Sequence, residues 1–322
     1  MKAAVYYENG APSVFRYEDV ADPEASEDEI LIRVEAISIE GGDTLTRLGG
    51  GLRTVPHVVG YQAAGIVVEA GSRVADFAVG ERVVTLNFDG SHAELRTAFP
   101  NFTWKIPEGL STEQAAAVPT AYGTAHDSLF EFGRLAKGET ALIHAGASGV
   151  GIAAIQMAKR AGATVLATAS SDERLGRLAE FGLDEGINYL KEDFVPRVRE
   201  FTQGRGADVI VDSVGGENLN KSIQALAYRG RCVSMGNAGR EARDLLDISP
   251  MRQSNQTFTR YFLGAELFLG TRAYAQIASI LDDVASGELR VVIDRTYPLS
   301  EAEEAHAYIE SRQSFGRVIL VP

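Results

Sequence analysis

The segment Ala141-Leu-Ile-His-Ala-Gly-Ala-Ser-Gly-Val-Gly151, continuing as Ile-Ala-Ala-Ile-Gln-Met-Ala-Lys-Arg-Ala-Gly162, joins a short apolar strand to a helix through a glycine-rich turn. No other feature narrows the fold as far. Such a turn points backbone N–H groups and the positive end of a helix dipole at an anion, so it is suited to a phosphate. Gly146 and Gly151 occupy the first and last positions of a G-x-G-x-x-G fingerprint, while Ser148 takes the central one with Gly149 beside it. Thr164-Val-Leu-Ala-Thr-Ala169 then reads as a buried strand, and Ser171-Asp-Glu-Arg opens a helix with Leu175, Leu178 and Phe181 on one face and Gly182 as its stop. Strand, helix and strand within about 30 residues form the right-handed crossover on which dinucleotides sit.

The residues after the second strand select the dinucleotide. An NAD site carries Asp or Glu there, about 20 residues beyond the glycines, bonded to the ribose 2′-OH. Here that place is Ser170, 19 residues beyond Gly151, so the acid that would repel a 2′-phosphate is missing. Arg174 follows and the third strand ends at Tyr189, which lets a cation and two hydroxyls converge on a 2′-phosphate. A solvated helix arginine is the plain alternative. Against it, the i±3 and i±4 neighbours of Arg174 are Ser170, Ser171, Arg177 and Leu178, none of them an acid. NADPH is therefore expected over NADH.

A chain of 322 residues, 45% hydrophobic, has room for two domains with their own cores. Its net charge of −13 repels polyanions, which argues against nucleic acid and anionic membranes as partners. No apolar run approaches the ~18 residues of a membrane span, and Met1-Lys-Ala-Ala-Val-Tyr-Tyr reads as a first strand rather than a secretion signal. The single cysteine, Cys232, allows neither an intrachain disulfide nor a thiolate zinc cluster. It lies in the apolar strand Arg231-Cys-Val-Ser-Met235 and reads as an inert buried thiol, so a reducing, cytoplasmic setting is expected.

Along the chain the pattern changes near residue 120. Before it, Glu29-Ile-Leu-Ile-Arg-Val-Glu-Ala, Gly65-Ile-Val-Val-Glu-Ala and Glu81-Arg-Val-Val-Thr-Leu describe antiparallel strands. From about Ala121 to Phe262 strands alternate with helices, as in a doubly wound domain. A helix through Tyr274-Ala-Gln-Ile-Ala-Ser-Ile-Leu, a strand at Val291-Val-Ile-Asp, a helix over Glu301 to Ile309 and a strand at Gly316-Arg-Val-Ile-Leu then return to the first kind of structure.

Ordered segments carry a family resemblance: Asp43-Thr-Leu-Thr-Arg47-Leu-Gly49, Pro56 through Gly65, Val79-Gly-Glu-Arg-Val, Ala117-Val-Pro-Thr-Ala-Tyr-Gly-Thr-Ala125, His144-Ala-Gly-Ala-Ser-Gly-Val-Gly, Asp212-Ser-Val-Gly-Gly and Phe315-Gly-Arg-Val. Over essentially its full length the chain resembles the zinc-independent quinone oxidoreductases among the medium-chain dehydrogenases/reductases. The resemblance implies an α/β chain with a GroES-like, mostly β catalytic domain over residues 1–120 and 263–322, and a Rossmann doubly wound parallel-sheet domain over 121–262. It also implies NADPH as cofactor and a homodimer joined through the Rossmann sheets. Carried over by position, cofactor contacts fall on Thr124 at the nicotinamide, Ser148, Gly149 and Val150 at the pyrophosphate, Ser170, Arg174 and Tyr189 at the 2′-phosphate, and Val214, Asn237 and Phe262 along the ribose path. For Val214 and Phe262, core packing is the competing role.

Zinc-dependent relatives carry a Gly-His-Glu ligand motif where this chain has Gly60-Tyr61-Gln62, and a ligand cysteine where it has Glu40. No soft or imidazole ligand remains, and the five histidines show no metal-ligand spacing, so no metal is expected. Glu40 with Gln62 around a hard cation is disfavoured, because one carboxylate without a cage holds such ions weakly. Without a Lewis acid the natural chemistry is hydride delivery to an electron-poor acceptor, a quinone or an enone. Tyr61 and Tyr122 are the hydroxyls to test as donors to the reduced acceptor, with no catalytic residue assigned. Glu40, Leu45 and Tyr61 are expected in the substrate pocket, with solvent at the start of a helix over Gly41–Arg47 as the other place for Glu40. An ene-reductase of enones or enoyl thioesters is the near alternative, with Arg47, Arg53 and Arg260 as candidates for a carrier phosphate. A non-catalytic NADPH-binding protein is the alternative of another class.

Overall fold

A computed structural model describes residues 1–240 and 245–322, with only the backbone of Gln253. The chain forms two compact units, Met1–Thr120 with Leu267–Pro322, and Ala121–Glu266. In chain order the first unit begins with β1 (Lys2–Tyr6), β2 (Arg16–Asp19), β3 (Ile30–Ser38), α1 (Gly41–Gly49), β4 (His57–Val58), β5 (Gln62–Ala70), β6 (Arg82–Leu86), β7 (Leu95–Ala98), β8 (Thr103–Lys105) and α2 (Thr112–Ala116). Helix α3 (Pro119–His126) leads into β9 (Thr140–Ile143), α4 (Gly149–Arg160), β10 (Thr164–Ala169), α5 (Asp172–Leu178), β11 (Glu185–Asn188), α6 (Phe194–Phe201), β12 (Ala207–Asp212), α7 (Glu217–Ala225), β13 (Leu226–Ser234) and β14 (Thr257–Arg260). After α8 (Leu263–Leu269) come α9 (Arg272–Ala285), β15 (Ile293–Pro298), α10 (Ala302–Glu310) and β16 (Arg317–Val321).

In the first unit the order β15-β16-β3-β5-β6-β8, with β7 also on β3, makes a largely antiparallel sheet, and β2-β1-β4 makes a smaller one. The alternation read from Ile30 onward is visible in β3, whose Ile30, Ile32 and Val34 enter a core with Val67, Val83 and Leu320. In the second unit β11-β10-β9-β12-β13-β14 form a parallel sheet in the doubly wound order. Its strands are buried runs without alternation, because helices cover both faces. The expected α/β chain of mostly β and doubly wound parts is thus observed.

One strand begins later than its apolar residues suggest. Val291 and Val292 precede β15, because Gly316 turns at φ +98 against Val292, whose carbonyl a Cβ there would approach to 2.4 Å. The parallel ladder with β16 starts at Ile293 opposite Arg317. Cys232 is fully buried in β13, and burial pushes its thiol up. An aromatic disulfide reagent is expected to leave it unmodified in the native protein and to titrate one thiol in denaturant; rapid native labelling would show that this core opens.

Candidate functional site

The glycine turn begins at the C-terminal end of β9, beside β12, where the strand order reverses and ligands of open α/β sheets bind. His144 closes the strand and anchors the turn from below. Its Nδ1 lies 3.1 Å from Thr168 Oγ1 and its Nε2 3.0 Å from Ser222 Oγ, which donates to Asp212 Oδ2 at 2.9 Å. Burial lowers the pKa of His144, so it serves here as a neutral ring. Ala145 is held at φ +51, and the Gly146 N–H donates to Thr168 O at 2.9 Å.

Ser148 is the N-cap of α4, its hydroxyl oxygen accepting from the Gly151 N–H at 3.0 Å. Serine at the central fingerprint position therefore stabilises the helix start. A Cβ on Gly151 would meet Ala145 O at 2.4 Å, so glycine is required there by the turn's own backbone. The N–H groups of Gly149 and Val150 are first-turn donors without an intrahelical partner, and they suit a diphosphate.

Beside this turn, β10 and β11 run in parallel with Ala169 opposite Asn188, which brings the next residues, Ser170 and Tyr189, to one edge. Arg174, in the first turn of α5, donates from Nη1 to Ser170 Oγ at 3.3 Å and makes no ion pair among the described residues. Tyr189 is 45% exposed, whereas Ser170 and Arg174 are half-buried. Asp172, the nearby acid, is taken up by Asn188 Nδ2 at 2.7 Å and by Lys191. A cation and two hydroxyls beside an acid that is already paired have the chemistry to bind a phosphate. Val214 and Asn237 are half-buried in loops after β12 and β13. Phe262 is 64% exposed, so core packing does not account for it.

Among the residues expected in a substrate pocket, Leu45 and Tyr61 are half-buried on α1 and just before β5. The Tyr61 ring lies against Gly42, where a Cβ would come within 2.4 Å of it, and its hydroxyl is 3.4 Å from Thr46 Oγ1. Burial raises the Tyr61 pKa, so the phenol keeps its proton. Thr124 is 7% and Tyr122 1% exposed on α3. Glu40 corrects one expectation: it is the N-cap of α1, but it is buried, at 4% exposure, and does not face solvent. Its Oε1 accepts from Gln62 Nε2 at 2.7 Å and pairs with Arg317. Arg317 also donates to Ser38 Oγ at 2.7 Å and Ile39 O at 2.8 Å. Asp43, buried beside this group, accepts from the N–H groups of Glu40 at 2.8 Å and Tyr61 at 3.2 Å. Burial raises Glu40 to about 7 and Asp43 to about 8.

Arg317 and Asp43 were absent from the sequence-based site. Arg317 lies 277 residues from Glu40, and only the register of β16 against β3, with Ile319 opposite Ser38, brings it there. Two of the histidines, which lack metal-ligand spacing in the sequence, form a close pair: His92 and His306 approach at 3.0 Å through their Nε2 atoms inside the first unit.

Comparison with known proteins gives two matched regions. A profile described as alcohol dehydrogenase GroES-like domain matches residues 26–124, and one described as zinc-binding dehydrogenase matches residues 149–283. A 2-haloacrylate reductase from Burkholderia sp is 33% identical over 99% of this chain and 98% of its own length. A quinone oxidoreductase from Rattus norvegicus is 30% identical over 100% of this chain and 98% of its own. The chain belongs to the quinone oxidoreductase family of medium-chain dehydrogenases/reductases. The crystal structure of Escherichia coli quinone oxidoreductase complexed with NADPH superposes with a TM-score of 0.94 over 100% of both chains at 29% identity. The GroES-like and Rossmann parts of that family are the two architectures described above.

The zinc in the name of one matched profile does not suit the residues of this chain. At the positions of the metal ligands stand Glu40, Tyr61 and Gln62, and Glu40 is neutralised by a guanidinium rather than left open to a cation. Among the described residues no group of three or more His, Cys, Asp or Glu is placed to hold a metal.

Proposed function

We propose that this protein is an NADPH-dependent, zinc-independent reductase that transfers hydride to a quinone or a similarly electron-poor acceptor. The observation that carries this reading is the Arg317–Glu40–Gln62 group at the metal-ligand positions. A site that polarises no carbonyl with a Lewis acid suits acceptors whose own electron deficiency drives the transfer. The NADPH-bound structural relative supports the cofactor, and Ser170, Arg174 and Tyr189 supply the matching 2′-phosphate chemistry. Ser148, Gly149 and Val150 would hold the pyrophosphate, Thr124 the nicotinamide end, and Val214, Asn237 and Phe262 the ribose path.

When bound, the reduced nicotinamide supplies a hydride to the acceptor. The chain's part is alignment and a proton. Tyr61, protonated and partly accessible, donates to the acceptor oxygen as negative charge develops on it, whereas Tyr122 is too enclosed to present its hydroxyl. Leu45 contributes an apolar wall. Tyr61→Phe is expected to lower kcat with a quinone about tenfold, less than the ~100-fold of an oxyanion-hole donor because quinone charge is delocalised, with KM for NADPH unchanged. Unaltered kcat would remove Tyr61 from the reaction.

The 2-haloacrylate reductase relative favours one further reading, reduction of an activated carbon–carbon double bond. Arg47 cannot serve a carrier phosphate in that reaction, since it is fully buried on Glu310 and Gly10 O. Following NADPH consumption and products with quinone and enone panels separates the two, and tight NADPH binding without turnover would point to a non-catalytic role. Strand β14 lies at the edge of its sheet, so its open ladder suits the proposed homodimer. No helix among the described residues is long and apolar enough to cross a membrane. A buried thiol as the sole cysteine agrees with the proposed cytoplasmic setting.

A further inference from the structure

We infer that Arg317, Glu40 and Gln62 form a metal-free clasp that holds Thr120 at the start of α3, the helix that carries Thr124, in the geometry hydride transfer needs. The inference rests on the reductase reading above. The clasp is a single chain of directional contacts. Gln62 Oε1 accepts from both the N–H and the hydroxyl of Thr120, at 3.0 and 2.8 Å, so its Nε2 needs an acceptor. Glu40 Oε1, 2.7 Å away, is that acceptor. A buried carboxylate needs a counter-charge, and Arg317 provides it while its other donors end on Ser38 Oγ and Ile39 O.

Gln62 is 0%, Glu40 4% and Arg317 7% exposed, so water replaces none of these partners. Removing any member leaves a buried polar group unsatisfied along the chain. The members come from the start of β5, the residue before α1 and the start of β16, and the chain ends on Thr120 in the first turn of α3. Thr124 lies one helical turn further along α3. Zinc relatives use the positions of Glu40, Tyr61 and Gln62 for metal ligands; this chain bonds two of them directly to each other and pairs Glu40 with an arginine that neither the turn nor the 2′-phosphate site uses. The role assigned to Arg317, Glu40 and Gln62 is positioning, since none of them is required to touch the acceptor.

The test compares Arg317→Met, Glu40→Leu, Gln62→Leu and Glu40→Gln in the full-length protein, by quinone reduction, by the isotope effect with NADPH deuterated at the transferred position, and by Tm. The first three are expected to lower kcat about tenfold and to raise the isotope effect, with KM for NADPH held within about twofold, because a small misplacement of the reacting groups slows transfer without loosening the phosphates. Glu40→Gln is expected to keep more than half of kcat, since its amide oxygen still accepts from Arg317 and Gln62. Arg317→Met and Gln62→Leu, which do not touch, are expected to cost little more together than singly. Multiplying losses, a Glu40→Gln variant as slow as Glu40→Leu, or full kcat in all variants below their Tm would overturn the clasp. If the wild type reduces no acceptor the reductase reading fails instead. The clasp is then judged by Tm alone: non-additive shifts for Arg317→Met with Gln62→Leu support its structural links and additive shifts reject it.

Discussion

Replacing Arg174 with alanine is expected to lower kcat/KM for NADPH about 100-fold while leaving the value for NADH nearly unchanged. The size follows from hydrogen bonds to a charged group, worth ~1.5–3 kcal/mol, with each 1.4 kcal/mol a factor of ten. The upper part of that range applies because Arg174 is half-buried, already oriented by Ser170 at 3.3 Å, and makes no ion pair among the described residues that binding would have to break. The loss is expected in KM and in the directly measured Kd rather than in kcat, because the 2′-phosphate is remote from the transferred hydride. Steady-state kinetics with both cofactors, before and after the substitution, checks this. An unchanged NADPH/NADH ratio would remove Arg174 from the site, and with it the main reason to prefer the phosphorylated cofactor.

The closeness of Ser170, Arg174 and Tyr189 was legible in the sequence because each part is local to its own element. Ser170 follows a six-residue apolar strand, Arg174 falls on the next helix turn, and Tyr189 follows the strand that pairs with the first, so period and strand order are enough to assemble them. The glycine turn was legible for the same reason. Ser148 in place of glycine acquires a cause only from the hydrogen bond its side chain makes to Gly151. The burial of Glu40 escaped the sequence because its environment is not local. A carboxylate ahead of a helix ordinarily faces solvent, and nothing near position 40 announces an arginine supplied by the last strand. The same holds for His92 and His306, separated by 214 residues and joined by tertiary packing. Periodicity finds elements and motifs that lie within one crossover; buried polar contacts between distant strands depend on register, which a one-residue slip would destroy.

These buried groups also set how the stability of the first unit depends on pH. Burial lowers His92 to about 3 and His306 well below its ordinary value of 6.5, with His57 displaced in the same direction. The folded protein keeps these rings neutral while the unfolded chain takes up protons below pH 6.5, so they stabilise fully above 6.5 and progressively less below it. Asp43 acts in the opposite sense. Raised by burial to about 8 from 3.8, it holds a proton that the unfolded chain releases, so its contribution is complete at low pH and is lost as pH rises towards 8. Among these groups the histidines and Asp43 oppose one another between about pH 4 and 6.5; below that range the loss due to the histidines dominates, and from 6.5 to 8, where the rings are neutral in both states, Asp43 costs about 2 kcal/mol. Denaturant unfolding between pH 3.5 and 8.5, followed by fluorescence of Trp104, the sole tryptophan and a core residue of this unit, measures the profile. Asp43→Asn is expected to remove most of the alkaline loss and His92→Gln to make the acid slope shallower. A wild-type profile flat from pH 6.5 to 8.5 would sink the account of Asp43, and an acid slope unchanged in His92→Gln would sink that of the histidines.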